Sequence, residues 1–218
     1  MNYDSVPLRD FKELNDWETV IFVYQSALKQ VETKIDILNG EFQHRHKYNP
    51  IEHVKSSIKT PESIVKKLKR HGYESSIENM VRYVNDIAGI RISCSFTSDI
   101  YLIADMISKQ NDLTILARRD YMKNPKKSGY RSYHMLVTTP VFLSDSIIDT
   151  KVEIQIRTVA QDFWATLEHK MHYKFEGDGP DYITKELREC ARYVAELDTR
   201  MEELNNEIQK YGKLSDKK

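Results

Sequence analysis

The chain has 218 residues, and its 33 Lys and Arg residues balance its 33 Asp and Glu residues. That length suffices for one domain with a substantial core, but not for several catalytic modules. The zero net charge excludes an overall basic field that would attract duplex nucleic acid or an anionic membrane, so any phosphate site must be local. The first residues do not resemble a signal peptide, and no apolar stretch is long enough to span a bilayer. We therefore expect a cytoplasmic protein with no membrane partner, in which Cys94 and Cys190 are reduced and buried.

The N-terminal part of the sequence has mainly helical periodicity. Apolar residues recur every three or four positions over 17–38, which predicts an amphipathic helix capped by Asn15 or Asp16. Thr60 followed by Pro61 is a typical helix start, and Gly72 closes the segment. These patterns predict helices over 17–38, 61–71 and 77–84.

Strands and helices alternate over the rest of the chain. GIRISCSF, residues 89–96, and KVEIQIRT, residues 151–158, alternate apolar and polar side chains, which is typical of half-buried strands. Between and beyond these two stretches we predict a helix over 98–109, extended segments over 113–118 and 131–139, and helices over 158–173 and 181–211.

Two segments concentrate basic residues. Residues 55–71 contain six Lys or Arg and one acid, and residues 118–131 contain six and one acid as well. Successive residues of a helix are rotated by about 100°, so one face of the 61–71 helix, extended back to Lys59, carries cations and a hydroxyl, while apolar residues lie on the opposite face. Backbone N–H groups at a helix start also attract phosphate. Basic runs are more often solvated faces, so this pattern alone leaves both interpretations open. The residues on the basic face are Lys59, Ser63, Lys66, Lys67 and Arg70.

Two carboxylates belong to the predicted strands. Asp86 precedes the 90–96 strand, and Glu153 lies on the polar face of the 151–157 strand, so the two could meet at one face of a sheet. Mg²⁺ binds one or two carboxylates together with phosphate oxygens and water, and it would let an acidic site accept a polyphosphate. Either acid alone could instead be a surface carboxylate or a salt-bridge partner.

Four motifs resemble the synthetase domain of the RelA/SpoT family, in that family's order and spacing. They are DIAGIRI at 86–92, SGYRSYH at 128–134, VEIQIRT at 152–158 and FWATLEHK at 163–170. The similarity runs from about residue 59 to residue 173, and the flanking helices and short length resemble the small alarmone synthetases. The resemblance implies an α/β (α+β) fold with a mixed sheet of about five strands flanked by helices, like that of nucleotidyltransferases. No histidine in the chain precedes an aspartate, so the hydrolase motif of longer members is not expected.

The resemblance also implies a reaction and roles for individual residues. Members of this group transfer pyrophosphate from ATP to the 3′-hydroxyl of GDP or GTP, releasing AMP and forming (p)ppGpp. Asp86 and Glu153 would be the catalytic and Mg²⁺-binding residues, with Glu153 accepting or orienting the proton of the attacking hydroxyl. Arg91 would stack on adenine and Tyr130 on guanine, and Asp162 would contact the edge of guanine. In full, the ATP-binding residues would be Lys59, Ser63, Lys67, Arg70 and Arg91, and the GDP- or GTP-binding residues Arg119, Lys126, Tyr130, His134, Gln155 and Asp162.

The chain departs from the family at one position, and two other functions compete. Many relatives have an arginine where this chain has Ser57, so adenine is held on one face only unless another side chain substitutes. A relative that pyrophosphorylates adenine nucleotides is one alternative. A non-catalytic RNA-binding module is the other, but it leaves the two carboxylates unexplained, so no stable nucleic-acid partner is expected. Within the FWATLEHK motif, Trp164 and Glu168 are expected to support the sheet, and His169 to lie on the helix surface.

The last helix predicts self-association. Its apolar residues step by three and four, the spacing of a coiled-coil seam, and the partner could be a helix of another subunit or, alternatively, the 17–38 helix of the same subunit. The small synthetases that the chain resembles form homotetramers through terminal helices, which favours another subunit. We expect an N-terminal helical region over 1–54, a synthetase domain over 55–175 and an oligomerisation helix over 176–218. The seam residues are Leu187, Cys190, Val194, Leu197, Met201, Leu204, Ile208 and Tyr211.

Overall fold

Six helices and five strands follow one another in the computed structural model, which describes residues 16–46, 48–174 and 181–215. Side chains are described for all of these residues except 172–174 and 211–215, so Tyr211 of the seam lies outside the described side chains. The elements are α1 (Trp17–His46), β1 (Ile51–Ile58), α2 (Pro61–Arg70), α3 (Ile77–Tyr83), β2 (Ala88–Cys94), α4 (Thr97–Ser108), β3 (Thr114–Asp120), β4 (Tyr133–Phe142), β5 (Ile147–Thr158), α5 (Val159–Lys174) and α6 (Asp181–Ser215).

The predicted helices are confirmed, and side-chain caps explain where two of them begin. Asp16 accepts hydrogen bonds from the backbone N–H groups of Glu18 and Thr19, and Thr60 Oγ1 accepts one from Ser63. Strand β1 is not in the sequence prediction. A bulge at its start breaks the alternation of side chains, and its inward-facing residues include a serine that donates a hydrogen bond to α1.

The five strands form one mixed sheet in the order β1-β2-β5-β4-β3. Strands β2 and β5 are parallel, and the other three neighbouring pairs are antiparallel. The fold class expected from the motifs is therefore confirmed. Strand β5 is the longest and lies in the middle of the sheet, so its side chains occupy the best-supported positions in the fold.

The alternation of β2 and β5 separates a packing face from a polar face. Residues Ile90 and Ile92 of β2, together with Ile154 and Ile156 of β5, are buried in a core to which α1 and α4 contribute. The residues between them point to the opposite face of the sheet. That opposite face is polar, and it is where the two carboxylates of the sequence analysis meet.

Helix α6 packs on the domain through its N-terminal half and exposes apolar side chains beyond it. Ala191 and Asp198 are buried, whereas the last apolar seam residues with described side chains are exposed. Cys94 is buried as expected, but Cys190 is exposed on α6, so the expectation of two buried thiols is wrong for Cys190. The exposed seam residues are Cys190, Leu197, Met201, Leu204 and Ile208. Among the described helices, none has the length and apolar character needed to cross a bilayer.

Candidate active site

The polar face of the sheet forms the floor of a cavity of about 640 Å³. Its walls come from β1, β2, β4, β5, the turn over 126–130 and helix α5. A smaller cavity of about 140 Å³ reaches Lys67 and Arg119, and it shares Asp86, His134 and Glu153 with the large one. The two carboxylates therefore lie where the cavities meet. The predicted site residues that line the large cavity are Lys59, Asp86, Arg91, Lys126, Tyr130, His134, Glu153 and Gln155.

Asp86 is held between two lysines from the basic segment before and within α2. Lys59 Nζ lies 3.1 Å from Asp86 Oδ2, and Lys67 Nζ lies 2.7 Å from Oδ1. Burial alone raises the pKa of Asp86, but the hydrogen bonds and positive charges of the two lysines outweigh it, and the pKa is lowered. Asp86 is thus ionised at neutral pH.

Glu153 is oriented by hydrogen bonds at both of its carboxylate oxygens. Gln155 Nε2 donates to Oε2 at 2.9 Å, and His134 Nδ1 lies 3.4 Å from Oε1. Burial raises the pKa of Glu153, and the nearby charge of Asp86 acts in the same direction, but the contacts with His134 and Gln155 outweigh both and lower it. The carboxylate is therefore ionised and a weak base.

The ionised state of Glu153 fixes the direction of one bond in a short chain of hydrogen bonds. A carboxylate only accepts, so His134 Nδ1 must donate to it. Tyr130 Oη lies 3.0 Å from the other ring nitrogen, Nε2, and forms a hydrogen bond with it. The chain Tyr130–His134–Glu153 links the turn over 126–130 to the central strand.

The Tyr130 ring lies among cations at the wall of the large cavity. Lys126 Nζ is 4.7 Å from the ring centroid, and Arg157 Cζ is 5.8 Å from it. Burial raises the pKa of the Tyr130 hydroxyl, and Arg157 opposes that shift. Gly129, directly before Tyr130, has φ +92°, a conformation that side-chain-bearing residues rarely adopt.

Asp162 contacts arginines rather than the large cavity. Its Oδ1 lies 3.0 Å from Arg157 Nε and 3.7 Å from Arg91 Nε, so one carboxylate joins β2, β5 and α5. Burial lowers the pKa of Arg157, whereas the charge of Asp162 raises it. In this structure Asp162 orients the two arginines, and its contact with a base edge remains a prediction.

Two predicted ATP ligands lie outside both cavities. Ser63 and Arg70 are exposed on α2, and Ser63 Oγ accepts a hydrogen bond from Thr60 Oγ1 at 3.1 Å. The start of α2 also offers few free backbone N–H groups for a phosphate, because Pro61 has no N–H and the N–H of Ser63 donates to Thr60 Oγ1. The roles of Ser63 and Arg70 in ATP binding remain predictions. Lys59 and Lys67, by contrast, contact Asp86 directly.

Several cavity residues were missed or assigned elsewhere by the sequence analysis. Lys55 lines the cavity from β1, opposite Arg91 of β2 in the strand register, and its position follows from a strand that was not predicted. Glu168 and His169 of α5 also line the cavity, although Glu168 was expected to support the sheet. Trp164 is buried as expected, but against α6, with Nε1 donating to Leu187 O at 2.9 Å.

Asp86 and Glu153 suit a Mg²⁺ ion that is also bound by phosphate oxygens. Among the described residues there is no group of three or more His, Cys, Asp or Glu side chains that could hold a metal by itself. Asp86 and Glu153 supply two ionised carboxylates that are close enough for one to affect the pKa of the other. Mg²⁺ usually takes one or two carboxylates and completes its shell with water and substrate phosphates. The donor set therefore suits a metal that arrives with a polyphosphate.

A fold and site of this kind define a class of nucleotide-phosphate transferases, and the sequence comparison specifies which one. Residues 56–178 match the family described as "Region found in RelA / SpoT proteins". The chain belongs to the RelA/SpoT family. It is 44% identical over 195 residues to the GTP pyrophosphokinase YwaC of Bacillus subtilis, covering 89% of this chain and 93% of that protein.

Solved structures agree with this assignment. Small alarmone synthetase 1 from Bacillus subtilis bound to its product pppGpp is 34% identical, with a TM-score of 0.83 over 88% of this chain and 98% of that one. The same synthetase bound to AMPCPP is 31% identical, with a TM-score of 0.76 over 89% of this chain and 98% of that one. Both identities are high enough for the likeness to extend beyond the fold.

Proposed function

We propose that this protein is a GTP pyrophosphokinase that transfers the pyrophosphoryl group of ATP to the 3′-hydroxyl of GDP or GTP. The products are AMP and ppGpp or pppGpp. The observation that carries the proposal is the convergence of Lys59, Lys67 and Tyr130 around two adjoining cavities that share Asp86 and Glu153. Relatives named for this activity, and related structures with the product pppGpp and with AMPCPP, support it.

The β1–β2 side of the cavity is the proposed ATP site. Lys59 and Lys67 would contact the ATP phosphates, and Asp86, which they contact in this structure, would hold Mg²⁺ together with Glu153. Arg91 would stack on adenine, as the family resemblance implies. Lys55 lies opposite Arg91 in the register of β1 and β2, lines the same cavity, and would supply the second cation over the base in place of the residue replaced by Ser57.

The Tyr130 side of the cavity is the proposed acceptor site. Tyr130 would stack on guanine, while Arg119 and Lys126 would contact the 5′-phosphates, in agreement with their positions in the two adjoining cavities. Stacking does not by itself distinguish guanine from adenine, because every base has a π-face. Specificity for guanine would therefore come from contacts with the edge of the base.

Glu153 would orient the 3′-hydroxyl and bind the metal rather than act as a strong base. Its lowered pKa makes it a poor proton acceptor, and His134 and Gln155 hold its two oxygens in place. Phosphoryl-type transfer depends mainly on positioning and on neutralising charge, so an oriented carboxylate suits this reaction. Bound Mg²⁺, held by Asp86 and Glu153, would neutralise the phosphate charge.

The proposal includes a tetrameric assembly in the cytoplasm. Half of α6 exposes a row of apolar side chains, and such a row is stabilised by a second helix. Closed symmetric association through the terminal helices would cover it. The domain boundaries at residues 54/55 and 175/176 belong to the same proposal.

The test is incubation with ATP, Mg²⁺ and one acceptor at a time, followed by separation of the nucleotides. AMP together with a guanosine tetraphosphate from GDP, or pentaphosphate from GTP, is the expected result. The Glu153→Gln variant is the control and should give neither. ADP as the sole product would contradict the proposal, and so would a pyrophosphorylated product from ADP but not from GDP or GTP.

A further inference from the structure

The turn that carries Tyr130 has little hydrogen bonding of its own. It lies between β3 and β4, outside the sheet. Within the turn, Gly129 N–H donates to Lys126 O at 2.8 Å, Lys126 N–H donates to Tyr130 O at 3.1 Å, and Tyr130 N–H donates to Ser128 Oγ at 3.4 Å. These short-range backbone bonds do not determine the orientation of the ring, and its hydroxyl is held at one point by His134, so packing against a neighbouring element must help to fix it.

Helix α6 is in direct contact with this turn. A Cβ atom placed on Gly129 would lie 2.5 Å from the Cβ of Ala191 and 3.8 Å from the carbonyl oxygen of Arg188. Ala191 is 6% exposed. Two Cβ atoms cannot approach this closely, so the helix leaves room only for a glycine at position 129.

Helix α5 also supports the Tyr130 ring. Trp164, Ala165 and Ala191 form a small buried cluster, separate from the main core, against which Tyr130 packs. Trp164 Nε1 donates to Leu187 O at 2.9 Å. The pocket beside Gly129, which Trp164 and Ala191 also line, has a volume of about 10 Å³, room for no more than about one water molecule.

A buried carboxylate fixes the position of α6 along its axis. Asp198 Oδ2 accepts hydrogen bonds from Thr158 Oγ1 and Gln161 Nε2, each at 2.8 Å. Thr158 is the last residue of β5, and Gln161 lies in the first turn of α5. Ala191, about two helical turns before Asp198, is therefore held at a fixed height against the turn.

We propose that α6, through Ala191, is a positioning element for the acceptor site, and that it sets the orientation of the Tyr130 ring from behind. This inference rests on the proposed function, because it takes Tyr130 as the surface for the acceptor base. A shift of α6 changes acceptor binding more than ATP binding, since α6 meets Gly129 directly, whereas it acts on Arg91 through Asp162 of α5. Ala191 is a positioning residue and does not itself contact substrate.

The first experiment enlarges Ala191. Ala191→Leu should raise the KM for GDP by about tenfold through displacement of the turn, while the KM for ATP changes less than about twofold. Ala191→Ser, which barely changes the volume, and Thr199→Leu, which adds apolar bulk at an exposed position of α6, are the controls and should leave both KM values unchanged. Equal changes in both KM values for Ala191→Leu would overturn the proposal.

The second experiment tests the same contact by rescue and does not depend on the folding of the leucine variant. Gly129→Ala introduces both the 2.5 Å clash and strain at φ +92°, and Ala191→Gly removes only the clash. The double variant should therefore recover part of the GDP affinity that Gly129→Ala loses. Recovery of melting temperature without recovery of the KM for GDP would show a purely structural contact and overturn the proposal.

The outcomes separate this inference from the proposed function. Wild-type protein that forms no pyrophosphorylated guanosine product refutes the proposed function, whatever the variants do. Active wild-type protein whose Ala191→Leu and Gly129→Ala variants keep the normal KM for GDP leaves the function standing and refutes the positioning role of α6.

Discussion

Replacing Tyr130 with phenylalanine and with alanine separates two contributions of one side chain. The hydroxyl forms a hydrogen bond with His134, 3.0 Å away, and His134 in turn contacts Glu153. The ring forms one wall of the large cavity. Tyr130→Phe removes the first contribution, and Tyr130→Ala removes both.

The expected magnitudes follow from the type of each contact. A partly buried hydrogen bond between neutral groups contributes about 0.5–1.5 kcal/mol, so Tyr130→Phe should lower kcat by about 2- to 13-fold. Its KM for GDP should change little, because the ring remains. Loss of base stacking costs about 1–3 kcal/mol, so Tyr130→Ala should raise the KM for GDP by about 5- to 150-fold in addition.

The assay is initial-rate measurement of AMP formation, with GDP varied at saturating ATP and then ATP varied at saturating GDP. Circular dichroism of each variant should match that of wild-type protein. Equal increases in the KM values for GDP and ATP in the Tyr130→Ala variant would refute an acceptor-specific role for the ring. A KM for GDP in Tyr130→Phe as high as in Tyr130→Ala would refute stacking as its main contribution.

Three further predictions concern charge and assembly. Glu153→Gln and Asp86→Asn should each lower turnover by about 10³-fold or more, because both remove charge from the proposed metal site. Burial raises the pKa of Asp198, so its contribution to stability is present at low pH and is lost as pH rises through that raised pKa. The melting temperature of Asp198→Asn minus that of wild-type protein should therefore increase from pH 4 to pH 7. Wild-type protein should scatter light as four subunits, and Leu197→Glu combined with Leu204→Glu should lower that mass by placing charge in the seam.

Each of these predictions has a contradicting outcome. A folded Glu153 or Asp86 variant that retains more than about a tenth of wild-type turnover would refute the metal-site assignment. A pH-independent difference in melting temperature would show that Asp198 does not titrate in this range. A wild-type monomer at micromolar concentration would refute the tetramer, and an unchanged tetramer in the double variant would locate the interface elsewhere.

The sequence predicts the elements whose side chains follow a regular period. Helices α1 and α2 are amphipathic and have capping residues, so their starts could be predicted closely, although α1 continues to His46, beyond the predicted end at residue 38. Strand β1 could not, because the bulge between Ile51 and His53 disrupts its alternation and Ser56 faces inward to bond Glu32 of α1. A residue buried through a hydrogen bond gives no hydropathy signal.

The site could be predicted to the extent that it depends on strand alternation and on family resemblance. Arg91 and Gln155 are paired in the parallel register of β2 and β5, so they share a face as soon as both strands are recognised. The positions of Glu168 and Asp162 depend on the angle at which α5 leaves the sheet. That angle is set by packing against α6, and no local pattern in the sequence encodes it.

The central position of β5 divides the site into two parts with different local stability. Backbone amides of Glu153 and Gln155 are enclosed by strands on both sides, so they should exchange with solvent only when the whole domain unfolds. When α6 moves away from Gly129, the turn around Tyr130 can open while the sheet stays folded. Substitutions in α6 can therefore alter how the acceptor is held while the carboxylates keep their geometry, which gives the protein a way to evolve acceptor preference without rebuilding its catalytic strand.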